Sequence, residues 1–82
     1  MDNEALIDVI DALNEIKEDN TVPKNVKAKL ESMIIVLNEK TETSMRINRV
    51  MHEIEEIADD ANMQSFTRTQ IFNVVSLLEM VK

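Results

Sequence analysis

His52 is the only histidine of the chain, and Glu55 and Glu56 follow it at three and four positions. On a helix such spacings share a face, so an imidazole and two carboxylates would point to the same side, a set that can hold a divalent metal. Helix bundles that hold two irons use a Glu-x-x-His element on each of two helices. Here Arg49 stands three before His52, and there is no second element of that kind. The face therefore reads as a solvated polar surface, with no metal site and no cofactor. Cysteine is absent, which excludes disulfides and thiolate metal ligands. Glycine is absent as well, so no Gly-rich loop can cradle a phosphate or shape an oxyanion hole. One histidine without a cysteine leaves no nucleophile–base pair, and the sequence reads as that of a non-enzymatic protein.

The elements that carry these residues are helical. With no glycine and Pro23 as the only proline, strand-turn chemistry is nearly missing. Leu6, Val9, Ile10, Leu13 and Ile16 form one stripe at helical spacing, opposite a face of acids. Asp2 or Asn3 is suited to cap that helix, and the pattern fails by Asp19-Asn20-Thr21. A second helix starts at Pro23, whose fixed φ suits a first turn, with Val26, Leu30, Met33, Ile34 and Leu37 as its stripe. The polar stretch Asn38–Ser44 breaks it. Ile47, Val50, Met51, Ile54, Ile57 and Ala58 mark a third helix, which ends in Asp59–Ser65, where Asn62 can supply a left-handed residue in place of glycine. Thr67 and Gln70 match a capping box before Ile71, Val74, Val75 and Leu78. These spans, about 3–19, 23–39, 43–59 and 66–81, predict an all-α fold. Short turns make consecutive helices antiparallel neighbours, so a four-helix bundle of up-down-up-down order is expected, one domain over 1–82 with no internal repeat. Leu30, Ile34, Ile54, Val75 and Leu78 are expected among its most buried side chains.

Val22-Pro23-Lys24-Asn25-Val26-Lys27, Asp60-Ala61-Asn62-Met63, Thr67-Arg68-Thr69 and Ser76-Leu77-Leu78-Glu79 resemble uncharacterised protein family 0147, a group of small archaeal proteins. The resemblance runs from about residue 20 to the end. It implies a compact helical bundle in an archaeal cytosol, and it implies no activity. Ala61 stands where the family tends to have Pro, Lys24 and Lys27 where it tends to have Arg, and Phe72 where it tends to have Trp. The acidic start Met1-Asp2-Asn3-Glu4 lacks the basic region of a signal peptide, and the longest apolar run, Met33–Leu37, falls far short of the roughly 20 residues that span a bilayer. A cytoplasmic location without membrane contact is expected.

Two features remain as candidate binding surfaces. The net charge of −7 disfavours nucleic acid as a partner, but it is unevenly spread. Residues 1–20 carry seven acids against Lys17, and residues 21–40 carry four lysines against two glutamates. Helix dipoles favour acids at N-termini and bases at C-termini. Helix one nonetheless ends in Glu18-Asp19, and helix three in Glu55, Glu56, Asp59 and Asp60. Lys24, Lys27 and Lys29 open helix two, and Arg68 opens helix four. In an up-down bundle those turns share one pole. Such charges can compensate one another across each turn, Asp19 with Lys24 and Asp59 with Arg68. Alternatively, Lys24, Lys27 and Arg68, helped by Asn25, Thr67 and Thr69, form an anion site for a nucleic-acid or ribonucleoprotein accessory protein. The second feature is apolar. Ile35 and Val36 fall off the stripe of helix two, and Phe72, Leu77 and Met80 widen that of helix four, so the surplus is either a broad core or a contact surface. The leading reading is a protein-interaction module that forms a homodimer through helices two and four or binds an unknown protein partner.

Overall fold

Periodicity fixes the elements closely. The computed structural model describes residues 2–81, with side chains from Glu4 to Val81, and holds α1 (Asp2–Lys17), α2 (Lys24–Leu37), α3 (Thr43–Ala58) and α4 (Ser65–Val81). Among the described residues there is no strand. The expected cap at Asp2 or Asn3 lies outside the described side chains. Pro23 is the residue before α2, with φ −58° and ψ 150°, so it ends the turn, and Lys24 is the first helical residue.

Close approaches run between α1 and α2, α2 and α3, α3 and α4, and α1 and α4, which closes the four helices into a ring. α2 and α3 run antiparallel, because Lys29 meets Glu56, Ser32 meets Glu53, and Arg46 reaches the Leu37 carbonyl. α1 and α4 border one groove, lined by Ala12, Glu15, Ile16, Phe66, Gln70 and Asn73. α2 and α4 make no close backbone approach and stand diagonally across the bundle.

Val9, Leu13, Val26, Leu30, Met33, Ile47, Val50, Val74 and Leu78 are closed to solvent, and Val22 and Met63 from two of the turns seal one end. Ile34 and Val75, expected in the centre, are only partly buried. Each sits at the edge of its stripe. Val36, for which the spacing leaves a broad core and a contact surface both open, is 3% exposed, since it lies on the side of α2 that carries Lys29 and Ser32 and faces α3. Thr67 is also buried, at 1% exposure. α4 begins two residues before it, and the Arg68 amide donates to the Gln64 carbonyl. Thr67 is thus inside the helix, the expected capping box does not form, and the Gln70 Oε1 is buried without a partner.

The buried positions disclose a repeat that the residue identities hide. Leu6, Val9, Leu13, Ile16, Val22, Val26, Leu30, Met33 and Leu37 are buried, and so are the residues 41 positions after each, Ile47, Val50, Ile54, Ile57, Met63, Thr67, Ile71, Val74 and Leu78. The turns match as well. Asp19 accepts from the Thr21 amide and Asp60 from the Asn62 amide, and the Val22 and Met63 amides donate to the carbonyls of Asp19 and Asp60. The chain is two helical hairpins of the same design packed against each other. Few equivalent residues are identical; what recurs is burial and turn chemistry. No described residue has positive φ, so Asn62 is not the left-handed residue expected. The aspartate side chain closes the turn instead.

Candidate functional site

The acid-to-base turns 18–23 and 59–64 do meet at one pole, because the Asn25 Nδ2 at the start of α2 donates to the Asp60 Oδ2 at 2.8 Å. Several of the charges there are engaged, with partners that differ from those expected. Arg68 does not pair with Asp59. Its Nη2 donates to the backbone carbonyl of Asp60 at 2.7 Å, so a base at the N-terminus of α4 serves the carbonyl end of α3. Asp19 bonds the hydroxyl of Thr21 at 2.7 Å in place of pairing with Lys24. Lys29 pairs with Glu56 at 2.7 Å. Asp19, Lys29, Glu56, Asp60 and Arg68 thus each have a partner in the turn or on the element beside it.

These contacts show in the ionisation. The hydrogen bonds from Thr21 hold the Asp19 carboxyl below its ordinary value, and the charge of Lys27 adds to this. Hydrogen bonds from Asn25 and the Asn62 amide lower Asp60 in the same way, with Arg68 contributing. Lys29 lowers Glu56 and is itself raised by it. A depressed carboxylate contributes stability above its unfolded pKa, and that stability is lost as pH falls through the folded pKa. Asn25→Ala should therefore lower the melting temperature at neutral pH. Its deficit against the parent should shrink as pH drops below the ordinary aspartate value of 3.8. Thermal melts across acid pH check this, and a deficit independent of pH would show that the Asn25–Asp60 bond is not its source.

As an anion site the pole offers little. Thr67 is in the core, Thr69 donates its hydroxyl to the Ser65 carbonyl, Asn25 and Arg68 are engaged, and the Asp60 carboxylate lies among them. Lys24 and Lys27 are the cations left, the first exposed and the second partly buried. His52 is exposed in a shallow depression formed with Asn48, Arg49 and Glu53 on α3. Its neighbour Glu56 is held by Lys29, and no group of three or more His, Cys, Asp or Glu among the described residues is disposed to hold a metal.

The apolar surplus divides. Val36 belongs to the core and Leu77 is partly buried, but Ile35 and Phe72 are each 58% exposed and Met80 is 78% exposed. Because α2 and α4 are diagonal, Ile35 cannot join the α4 residues in one patch. Phe66 on α4, absent from the expected surface, is 65% exposed. The signal that marks it is the near lack of charge on α4, whose only charged residues are Arg68 and Glu79.

Comparison with known proteins agrees with this frame. Residues 1–81 match the sequence profile of an uncharacterised protein family, UPF0147. The chain belongs to that family. The match extends through α1, beyond the part that carried the sequence resemblance. The UPF0147 protein of Methanocaldococcus jannaschii is 45% identical over 71 residues, covering 85% of this chain and 76% of the relative. A crystal structure of a UPF0147 protein from Thermoplasma acidophilum is similar with a TM-score of 0.91 at 29% identity, covering 99% of this chain and 96% of that one. The crystal structure of MMP1188, a protein of unknown function, also gives a TM-score of 0.91, at 37% identity over 98% of this chain and 92% of the other. The family is archaeal in the relatives found, its fold is all-α, and its description assigns no activity. No helix among the described residues is long and apolar enough to cross a membrane.

Proposed function

We propose that this protein is a non-enzymatic interaction module that self-associates through the outer face of α4. The observation that carries the reading is the exposure of Phe66, Phe72 and Met80 on a helix where Arg68 and Glu79 are the only charges and cancel. Large apolar side chains grouped on one face of a small domain are a usual mark of a contact surface. Covering them returns about 25 cal/mol for each Å² of apolar surface removed from water. Ile35 is left out of this surface, because it lies on the helix diagonal to α4.

The test is sedimentation of the parent beside Phe72→Glu and Met80→Glu at high micromolar concentration. The parent should sediment as a dimer and both variants as monomers with unchanged helical circular dichroism. A parent that stays monomeric at that concentration would refute self-association.

A further inference from the structure

Beyond any contact between copies, we propose that the groove between α1 and α4 receives a lysine side chain from a basic helix of a partner protein, with Glu15 accepting from its ammonium group. The repeat supplies an internal control. A shift of 41 residues carries α1 onto α3 and α2 onto α4, so the α1–α4 seam is the counterpart of the α2–α3 seam. The α2–α3 seam is closed by its own side chains. Lys29 pairs with Glu56 at 2.7 Å, and the Ser32 hydroxyl donates to Glu53 at 3.1 Å.

The same places on the α1–α4 seam are filled differently. Glu15 keeps the carboxylate of Glu56, but Gln70 stands where the other seam has Lys29. Ala12 replaces Glu53, and Asn73 replaces Ser32. With the long acid gone, these four residues, Ile16 and Phe66 line a groove of about 280 Å³. Gln70 does not take the place of the lysine, since its Oε1 is buried without a partner. Arg68, the one base of α4, is spent on the Asp60 carbonyl. Among the described residues Glu15 has no ion-pair partner.

The ligand follows from what the groove lacks. The α2–α3 seam meets its carboxylate with an ammonium group on an aliphatic stem, and the same group brought from outside restores the pair. Phe66 offers the stem an apolar wall and the charge an aromatic face. Glu15 is exposed, and an exposed carboxylate holds one amine weakly, so the source must bring a second charge. Asp8 stands seven residues before Glu15 on α1, about 10 Å along the helix. It is the counterpart of Arg49, which pairs with Glu39, and the place of Glu39 on α4 is taken by Met80. Asp8 therefore also has no cation facing it from α4. Two carboxylates seven residues apart match two lysines seven apart on a helix laid along the groove. The net charge of −7 draws a basic chain and repels an acidic one.

Two alanine-based helical peptides test this, one with its two lysines seven residues apart and one with them five apart, on different sides. The protein is kept dilute enough to sediment as a monomer, at low salt. In amide NMR spectra the seven-spaced peptide should shift Ala12, Glu15, Gln70 and Asn73. It should bind about fivefold tighter than the five-spaced one, and Glu15→Gln should remove that advantage. Gln70→Lys installs the lysine of the other seam and should abolish binding. Asn48→Lys adds the same charge on α3, diagonal to α1, and should bind as the parent does. If both peptides bind alike, or the shifts spread over the acids of every helix, net charge alone attracts them and the site is wrong. Binding by butylammonium as tight as by the peptide would overturn the partner helix in favour of a free amine. If Gln70→Lys binds as well as Asn48→Lys, a lysine is not what the groove lacks, and the proposal fails.

Discussion

Leu30→Ala should destabilise the protein by about 2–5 kcal/mol, because it deletes a fully enclosed side chain and leaves a cavity that the neighbouring helices fill only in part. Leu30 is 0% exposed, at the centre of the α2 stripe. A domain of this size has a total stability of roughly 4–12 kcal/mol, so the variant should populate unfolded chain at moderate temperature. The repeat adds a second expectation. Ile71 is the equivalent of Leu30 in the other hairpin and is 1% exposed, so Ile71→Ala should lose a comparable amount. Ile34→Ala, four residues along the same helix but only partly buried, should lose on the order of 1 kcal/mol, since water already reaches part of it. Urea denaturation with an unchanged m-value measures all three. Equal losses at Leu30 and Ile34 would show that the core is not centred where the burial pattern puts it.

Ile34 also marks the limit of what helical spacing can reveal. Spacing places a stripe on each helix, and here it locates all four helices to within about two residues of their ends, the usual margin for such boundaries. It does not say which edge of the stripe a neighbour covers. Ile34 and Val36 lie on opposite edges of the α2 stripe. Only the position of α3 decides that Val36 is enclosed and Ile34 is not. The same holds for Thr67, whose polar side chain suggested a cap until the earlier start of α4 turned it inward. The repeat stayed hidden because core positions tolerate exchange among Val, Leu, Ile and Met at similar volume, and Asp19 and Asp60 are among the few identical pairs. The expected poles were legible as charges out of order. Their partners were not, because the acceptor for Arg68 is a backbone carbonyl, which looks the same at every residue.

That carbonyl chemistry gives Arg46 the second large effect. It is the fourth residue of α3, a place where the helix dipole disfavours a cation, yet its Nη1 donates to the Leu37 carbonyl at 2.6 Å and its Nη2 to the Thr43 Oγ1 at 3.0 Å. Leu37 is the last residue of α2, where carbonyls lack helical partners. The guanidinium therefore closes the end of the preceding helix, as Arg68 does for α3. Lys27, also fourth in its helix, adds its charge near Asp19 in the first turn. Arg46→Ala should leave the Leu37 carbonyl without that donor and uncover the aliphatic wall formed by Leu6, Ile10 and Leu37. The expected loss is about 1–3 kcal/mol, the range for a hydrogen-bonding group deprived of its partner. Arg46→Lys keeps the charge but not the fork that spans Leu37 and Thr43 at once, so it should recover only part of the loss. If lysine restores full stability, charge alone closes α2. If alanine costs under about 0.5 kcal/mol, as neutral surface substitutions do, the Leu37 carbonyl is satisfied by water, and the role assigned to Arg46 fails.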